Sequence, residues 1–181
     1  MVGEATKCGD QVSGPAPVTA GALEGTVPAL QRDQVVGVGY EGKDIGFFIS
    51  GLLAARVRLV VDVRLNAISR KTGFSKRALS AELAEAGIGY RHFPELGNPR
   101  WNRDGFAGPP GEVSAARARF SRLIGGGTAS ARIAEIAAAA DAGVVAVMCF
   151  EADDMRCHRH VVLARVRAGV GGGGTARYHR H

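Results

Sequence analysis

Short apolar runs alternate with longer amphipathic stretches along the chain from residue 34 onward. Runs of strand length that predict buried β-strands lie at residues 34–40, 58–63, 88–93 and 144–148. Apolar positions recur with helical spacing at residues 44–56, 76–86, 113–124, 129–142 and 157–167. This alternation predicts a single three-layer α/β domain, in which helices cover both faces of a mostly parallel sheet of about four to five strands.

Capping residues and glycines support several of these boundaries. Asp44 and Ser75 are good N-caps for the first two helices, and Gly87 can end the second. Residues 94–111 contain four prolines and the only tryptophan. We therefore expect an irregular loop there, of a kind that is often functional or mobile.

The two ends of the chain differ in composition from the region between them. Residues 1–33 are rich in Gly, Ala, Pro and Val and contain no aromatic residue, which predicts a disordered leader. The α/β domain then occupies residues 34–181. Within it, residues 171–181 are expected to form a flexible glycine-rich linker and a short terminal strand at 176–179.

Length and composition exclude several classes of protein. A chain of 181 residues, of which 46% are hydrophobic, suits one ordinary domain with a real core. It contains no apolar run of about 18 residues and no secretory pattern at its N-terminus, which predicts a cytoplasmic protein without a membrane-spanning segment. The three cysteines are then expected to be reduced thiols.

The net charge of +6 has two interpretations. Clustered Lys and Arg side chains attract phosphate, so a nucleotide or a nucleic acid is one candidate partner. However, a chain rich in Arg, Ala, Gly and Val is also typical of a G+C-rich genome. The charge alone therefore does not identify a partner.

The predicted fold indicates where a ligand would bind. In parallel α/β sheets, ligands occupy the crevice at the carboxyl ends of the strands. Three segments of this chain fall there: Tyr40-Glu41, residues 62–70 and residues 149–159.

Asp62 and Arg64 end the second predicted strand and project to the same side of it, because side-chain direction repeats every two residues. They can form an ion pair with each other or face a ligand together. Ser69 and Arg70 follow in the loop with Lys71, and these cations could form an anion pocket with Lys76-Arg77 at the start of the next helix. A solvated basic turn is the competing interpretation.

The second segment places Cys149 and Glu151 before a short acidic loop, and Cys157, His158 and Arg159 after it. Three chemistries fit these residues. Cys157 could be a reactive thiolate beside His158, although the acidic residues oppose that. The cysteines and histidine could bind a metal, but neighbouring residues of a helix diverge by roughly 100°, so no metal site is predicted. Alternatively, the cysteines pack in the core while Glu151, His158 and Arg159 form a polar network.

Together, the motifs of this chain resemble a known family. They are Val36-Gly37-Val38-Gly39-Tyr40, Val61-Asp62-Val63-Arg64 with Ser69-Arg70, Phe74-Ser75-Lys76, Gly87-Ile88-Gly89-Tyr90, Leu96-Gly97, and Cys149-Phe150-Glu151 with Cys157-His158-Arg159. The family is domain of unknown function 488, and the resemblance runs from about residue 35 to residue 179. It implies a compact α/β domain of the bacterial and archaeal cytoplasm with these motifs at its site, but no established reaction.

This chain departs from the family pattern at Gly97-Asn98, where Gly-Gly is usual, and at Ala67-Ile68-Ser69, which lacks the usual proline. These departures leave the shape of the Asp62 loop open. The order of strand, Cys149, loop and helix also resembles rhodanese sulfurtransferases, but the acidic loop weakens that analogy.

Our leading hypothesis is an enzyme or binding domain for a phosphate-bearing or nucleic-acid-derived ligand. Catalytic and ligand-binding roles fall on separate sets of residues. The predicted catalytic residues are Asp62, Glu151, Cys149, Cys157 and His158, with Glu151 or Asp62 as acid or base. The predicted ligand-binding residues are Tyr40, Arg64, Ser69, Arg70 and Arg159, with the three arginines holding the anion.

Two other hypotheses remain open. One is a thiol-based redox or metal-binding sensor without turnover, because two cysteines flank one loop. The other is an interaction module that uses the loop around Trp101. The sequence identifies no cofactor.

Overall fold

Four parallel strands form the centre of the computed structural model, which describes residue 1 and residues 34–170. They are β1 (Val35–Gly39), β2 (Val57–Asp62), β3 (Gly89–His92) and β4 (Val144–Cys149). Their spatial order is β1-β4-β2-β3, so β4 lies between the first two strands. The predicted leader and the predicted strand at 176–179 lie outside the described residues.

Helices cover both faces of this sheet, which confirms the predicted α/β architecture. They are α1 (Ile45–Ala54), α2 (Lys76–Glu85), α3 (Arg100–Ala107), α4 (Pro110–Leu123), α5 (Gly127–Ala140) and α6 (Arg159–Val170). Asp44 caps α1 by accepting a hydrogen bond from the backbone N–H of Phe47 at 2.8 Å. Ser75 is the N-cap of α2, but its side chain makes no capping hydrogen bond.

The alternation of side chains along the strands divides the core into two layers. In β4, Ala146 and Met148 pack with α1 and α2, whereas Val145, Val147 and Cys149 pack on the opposite face. That second layer is built from α3 to α6 and contains the buried aromatic side chains of Phe93, Phe106 and Phe120. The strand register therefore points Cys149 toward α6.

The prediction of an irregular loop at residues 94–111 is wrong. The segment consists of a 3₁₀ turn (Pro94–Leu96), helix α3 and the first two residues of α4, with short connections between them. Its prolines occupy positions that helices tolerate: Pro99 is the N-cap of α3, and Pro110 begins α4. Asn102 and Phe106, four residues apart, are the buried positions of α3.

Helix α6 also begins later than the sequence predicts. A 3₁₀ turn (Asp154–Arg156) precedes it, and Cys157 has extended backbone angles of φ −129° and ψ 144°. The helix starts at Arg159 rather than at Cys157. Consequently Cys157 and His158 are not successive residues of a helix.

The order of the strands opens a crevice between β2 and β4. The loop after β2 leads to α2 on one face of the sheet, and the loop after β4 leads to α6 on the other. Loops that diverge from adjacent parallel strands leave room for a ligand at the carboxyl ends of those strands. Among the described residues, no helix is long and apolar enough to span a lipid bilayer.

Candidate functional site

A cleft of about 570 Å³ opens at the carboxyl ends of β1, β2 and β4. Eight of the ten residues that the sequence predicts for the site line this one cleft. They are Tyr40, Arg64, Ser69, Arg70, Cys149, Glu151, Cys157 and His158. The other two, Asp62 and Arg159, do not line it. The structure thus brings the two predicted segments together.

Asp62 and Arg64 form a buried ion pair, of which only Arg64 lines the cleft. The Nε and Nη2 atoms of Arg64 donate to the two carboxylate oxygens of Asp62 at 2.9 and 2.6 Å. Its Nη1 atom donates to the hydroxyl of Tyr40 and to the carbonyl of Phe74, both at 2.9 Å. Every guanidinium nitrogen of Arg64 therefore has a partner within the fold.

Tyr90 also forms a hydrogen bond with this ion pair. The Tyr90 hydroxyl donates to Asp62 at 2.7 Å, and burial together with the negative charge of Asp62 raises the pKa of Tyr90. Burial alone would lower the pKa of Arg64, but hydrogen bonding and the charge of Asp62 raise it above the usual value. The hydrogen bonds of Asp62 and Arg64 therefore fix the end of β2.

Arg159 holds the loop between β4 and α6 from within. It is only 1% exposed. Its guanidinium donates to the carboxylate of Asp154 and to the backbone carbonyls of Glu151 and Ala152. The predicted role of Arg159 in contacting a ligand stays a prediction, but its geometry is that of a residue which shapes the loop.

Two glycines allow this loop and the Asp62 loop to approach their neighbours closely. A Cβ atom on Gly39 would lie 1.9 Å from the carbonyl oxygen of Glu151, and one on Gly97 would lie 2.4 Å from the Cα atom of Leu65. The backbone N–H groups of Tyr40 and Glu41 also donate to the carbonyl of Phe150, at 3.1 and 2.9 Å. Backbone contact around the cleft therefore explains the glycines at positions 39 and 97.

Cys149, Cys157 and His158, which we call the Cys–Cys–His cluster, converge on one wall of the cleft. The Nδ1 atom of His158 lies 3.9 Å from the sulfur of Cys149 and 3.8 Å from the sulfur of Cys157. The Nε2 atom lies 3.0 Å from the carbonyl oxygen of Val63. Because a carbonyl can only accept, Nε2 carries the proton and donates it, which turns Nδ1 toward both sulfurs.

Burial and proximity shift the pKa values of this cluster in opposite directions. Interaction with the neighbouring Cys157 lowers the pKa of Cys149 to about 6, with help from His158 and against the effect of burial. The same interaction and burial raise the pKa of Cys157. Burial favours neutral His158, but its contact with Cys149 raises the pKa of the imidazole. The two thiols therefore titrate as a coupled pair, in which these pKa shifts favour the thiolate of Cys149 over that of Cys157.

Glu151 is the carboxylate nearest to the cluster. Its Oε2 atom accepts a hydrogen bond from the thiol of Cys157 at 3.0 Å. Burial alone would raise the pKa of Glu151, but this hydrogen bond and the positive field of His158 contribute to a lower pKa. Glu151 thus presents an ionised carboxylate to the cleft.

The residues of the cluster have the chemistry of metal ligands. Their two sulfur atoms and one imidazole nitrogen all lie within 4.8 Å of one another. The sequence argument against shared ligation assumed that Cys157 and His158 diverge on a helix, and that assumption is wrong because Cys157 is extended. Asp62 does not join these ligand atoms, because it is fully buried and paired with Arg64.

Besides Arg64, four cations line the cleft, from three different parts of the fold. Arg70 and Lys71 lie in the loop after β2, Arg103 lies on α3, and Arg156 lies in the turn before α6. Arg70, Arg103 and Arg156 are exposed to solvent, whereas Lys71 is half-buried. Lys71 donates from Nζ to the carbonyl of Tyr40 at 3.3 Å. Lys76-Arg77, which the sequence suggested for an anion pocket, does not line the cleft.

Sequence reasoning missed several residues of the cleft. Asn98, Arg103 and Phe106 were assigned to an irregular loop, so their positions on and beside a helix were not foreseen. Asn98 is 4% exposed, and its side-chain oxygen accepts a hydrogen bond from Asn102 at 3.0 Å. No apolar pair at helical spacing marks this helix in the sequence, because one of its two buried positions is the polar Asn102.

The fold and the cleft define the class of protein: a parallel α/β domain whose cleft at the strand ends combines basic side chains with a Cys–Cys–His cluster. The family model described as Domain of unknown function DUF488 matches residues 44–166. The chain therefore belongs to that family, as its motifs indicated. The matched range is narrower than residues 35–179 and leaves out β1 and Tyr40. Comparisons with curated proteins and with solved structures found no match.

Proposed function

We propose that this protein binds a phosphate-bearing ligand, either a nucleotide or a nucleic-acid segment, in the cleft at the carboxyl ends of its strands. The observation that carries the proposal is the charge of the cleft wall. Arg70, Lys71, Arg103 and Arg156 line it, while the carboxylates among its lining residues are limited to Glu151. Cations that converge from separate loops onto one cleft are the arrangement that phosphate recognition requires.

These cations are a different set from the one that the sequence suggests. Arg64 already donates to Asp62, Tyr40 and Phe74, so a phosphate would have to compete with charge-assisted bonds inside the fold. Arg70, Arg103 and Arg156 are exposed. Arg103 and Arg156 each donate to one backbone carbonyl, of Asn98 and Ala107, and make no ion pair with a described residue, so they can turn toward a ligand at lower cost than Arg64. The proposal therefore assigns anion binding to these three side chains.

The apolar part of the cleft suits the base of a nucleotide. Phe150 is 44% exposed and packs edge-on against Tyr40, with ring centroids 5.3 Å apart. Ile68 is 82% exposed on the loop that carries Arg70. An exposed aromatic ring beside cations is the usual combination for stacking a base while holding its phosphate.

Glu151 is the acid–base candidate that the geometry favours. It is ionised, it lines the cleft, and it contacts the Cys–Cys–His cluster through Cys157. Asp62 supports this role less well, because it is fully buried and bonded to Arg64 and Tyr90. If the protein turns its ligand over, the proton transfer is assigned to Glu151.

Fluorescence anisotropy with labelled single-stranded DNA and RNA, and thermal-shift measurements with nucleotides, test this proposal. We expect Arg103→Ala and Arg156→Ala to weaken binding. Each should also reduce the slope of log K against log salt by about 0.7, the value for one lost phosphate contact on a single strand. Arg122→Ala is the matched control, because Arg122 is an exposed arginine of α4 that does not line the cleft.

The outcome of these measurements is decisive in either direction. Binding that falls with the cleft arginines but not with Arg122→Ala supports the proposal. If none of the nucleotides or oligonucleotides binds, or if Arg122→Ala weakens binding as much as Arg103→Ala, the phosphate-binding cleft is refuted.

A second candidate function is a thiol-based sensor without turnover, favoured by the approach of the Cys149 and Cys157 sulfurs to within 4.8 Å. In that case a disulfide oxidant would accept two electrons and two protons from the two thiols as they join. Mass spectrometry after mild oxidation tests this. A Cys149–Cys157 disulfide that dithiothreitol reverses would support the sensor, whereas thiols that stay reduced would exclude it.

A further inference from the structure

We propose that Cys149, Cys157 and His158 bind a thiophilic divalent metal ion, for which zinc is the best match. Two sulfur ligands and one imidazole nitrogen are a ligand set of known zinc sites that keep a fourth position open. The inference concerns the wall of the cleft and does not depend on what the cleft cations bind.

The spacing of the three ligand atoms fits one tetrahedral ion. Zinc–sulfur bonds of about 2.3 Å and zinc–nitrogen bonds of about 2.0–2.1 Å place sulfur and nitrogen ligands about 3.6 Å apart. In the structure, Nδ1 of His158 lies 3.9 and 3.8 Å from the sulfurs of Cys149 and Cys157. A shift of a few tenths of an ångström brings Nδ1 to the required distance from both sulfurs. The two sulfurs, which lie within 4.8 Å of each other, would stand about 3.8 Å apart on one tetrahedral zinc ion.

The imidazole is already oriented as a metal ligand. Its Nε2–H group donates to the carbonyl of Val63 at 3.0 Å, which fixes the tautomer and directs the Nδ1 lone pair toward both sulfurs. Metal-bound histidines almost always have such a partner on the other nitrogen. The ring also packs edge-on against Phe120, with centroids 5.2 Å apart, so its rotation is restricted.

The three residues of the cluster are nearly buried, yet they reach the cleft. Cys149, Cys157 and His158 are 5%, 1% and 6% exposed, and all three still line the cleft. An ion held by them would therefore have its fourth position toward the cleft, where water or a ligand oxygen can reach it. Glu151 stands beside Cys157 and can hydrogen-bond to such a water.

Elemental analysis of the full chain, purified without chelator, is the first measurement. We expect about one equivalent of zinc, or of another thiophilic divalent metal, per chain. After removal of metal under reducing conditions, added Co²⁺ should give visible d–d bands of tetrahedral cobalt and a near-ultraviolet thiolate-to-cobalt charge-transfer band. Zn²⁺ should then displace the cobalt and abolish both.

Variants identify the ligands. Cys149→Ser and His158→Gln should weaken cobalt binding by more than about 100-fold, the upper end of what changes outside the ligand set cause. Cys8→Ser is the matched control, since it removes a cysteine that the proposal does not use, and its cobalt spectrum should equal that of the parent. Circular dichroism of each variant checks that it folds.

The spectrum of the parent protein decides the question even if a ligand variant does not fold. Cobalt that shows no thiolate charge-transfer band overturns the proposal, as does a loss of the band in Cys8→Ser. These measurements need no anionic ligand. A failure here would therefore leave the binding test of the cleft arginines unaffected, and the reverse also holds.

Discussion

Replacing Arg64 with alanine tests whether the Asp62–Arg64 pair fixes the end of β2. Asp62 is completely buried, and Arg64 is 6% exposed. Without the guanidinium, the carboxylate would keep only its hydrogen bonds from the backbone N–H of residue 64 and from Tyr90. Removing one partner of a buried ion pair costs about 3–5 kcal/mol, because the remaining charge is left uncompensated.

A loss of this size is large relative to the stability of the domain. Natural domains unfold with a free energy of about 5–15 kcal/mol. In a protein of this length, each kcal/mol lowers the melting temperature by about 2–4 °C, so Arg64→Ala should lower Tm by roughly 6–20 °C. Thermal unfolding followed by circular dichroism, with urea titration for the free energy, measures both quantities.

Two further variants show whether the buried charge is the cause. Arg91→Ala removes an exposed partner of Glu135 and should cost only about 0.2–1 kcal/mol. The double variant Asp62→Asn/Arg64→Ala removes the orphaned charge and should be more stable than Arg64→Ala alone. The reasoning is refuted if Arg64→Ala unfolds no more easily than Arg91→Ala, since Arg64 would then be free to serve a ligand.

Three further predictions concern the surroundings of the cleft. Gly39→Ala would press a methyl group against the carbonyl of Glu151, and we expect a loss of about 1–3 kcal/mol in urea unfolding. A loss below 0.5 kcal/mol, about the size of a neutral surface change, would contradict the contact. Phe120→Ala would remove the buried ring beside His158 and should cost about 3–5 kcal/mol. Phe120→Leu should keep most of that stability, and equal losses in both would refute the packing argument. Arg159→Ala should release the β4–α6 loop, so limited proteolysis should cleave this loop faster than in the parent. Unchanged cleavage would show that Arg159 does not hold it.

The sequence predicted the sheet well because its strands are short apolar runs with clear ends. Residues 144–148 and 58–63 read as buried strands, and the structure places β4 and β2 within one residue of those bounds. The pairing of two distant segments at one site followed from the topology rule for parallel sheets. That rule needs only the order of the elements, which local patterns reveal.

The errors arose where local signals do not determine the outcome. Prolines usually end helices, yet Pro99 and Pro110 precede or begin one, so residues 94–111 were misread and Arg103 was missed. The spacing of Asp62 and Arg64 does not show whether Arg64 bonds within the fold or to a ligand. Its other hydrogen-bond partners, Tyr40 and Phe74, are distant in sequence. Neither outcome can be read from the local sequence alone.

The proposed metal site and the proposed anion site lie on parts of the fold that differ in rigidity. Cys149 ends a strand that is paired on both sides, opposite Gly39 in β1, and His158 is tied to the carbonyl of Val63 just beyond β2. A register slip of one residue would turn the Cys149 side chain to the opposite face, so the cluster is fixed as firmly as the sheet itself. Arg103 and Arg156 are exposed on a helix and a turn, and each donates to a backbone carbonyl, of Asn98 and Ala107, outside the apolar core. Changes in ligand preference should therefore come from these arginines, and Arg103→Ala should weaken anion binding while leaving the cobalt spectrum of the cluster unaltered.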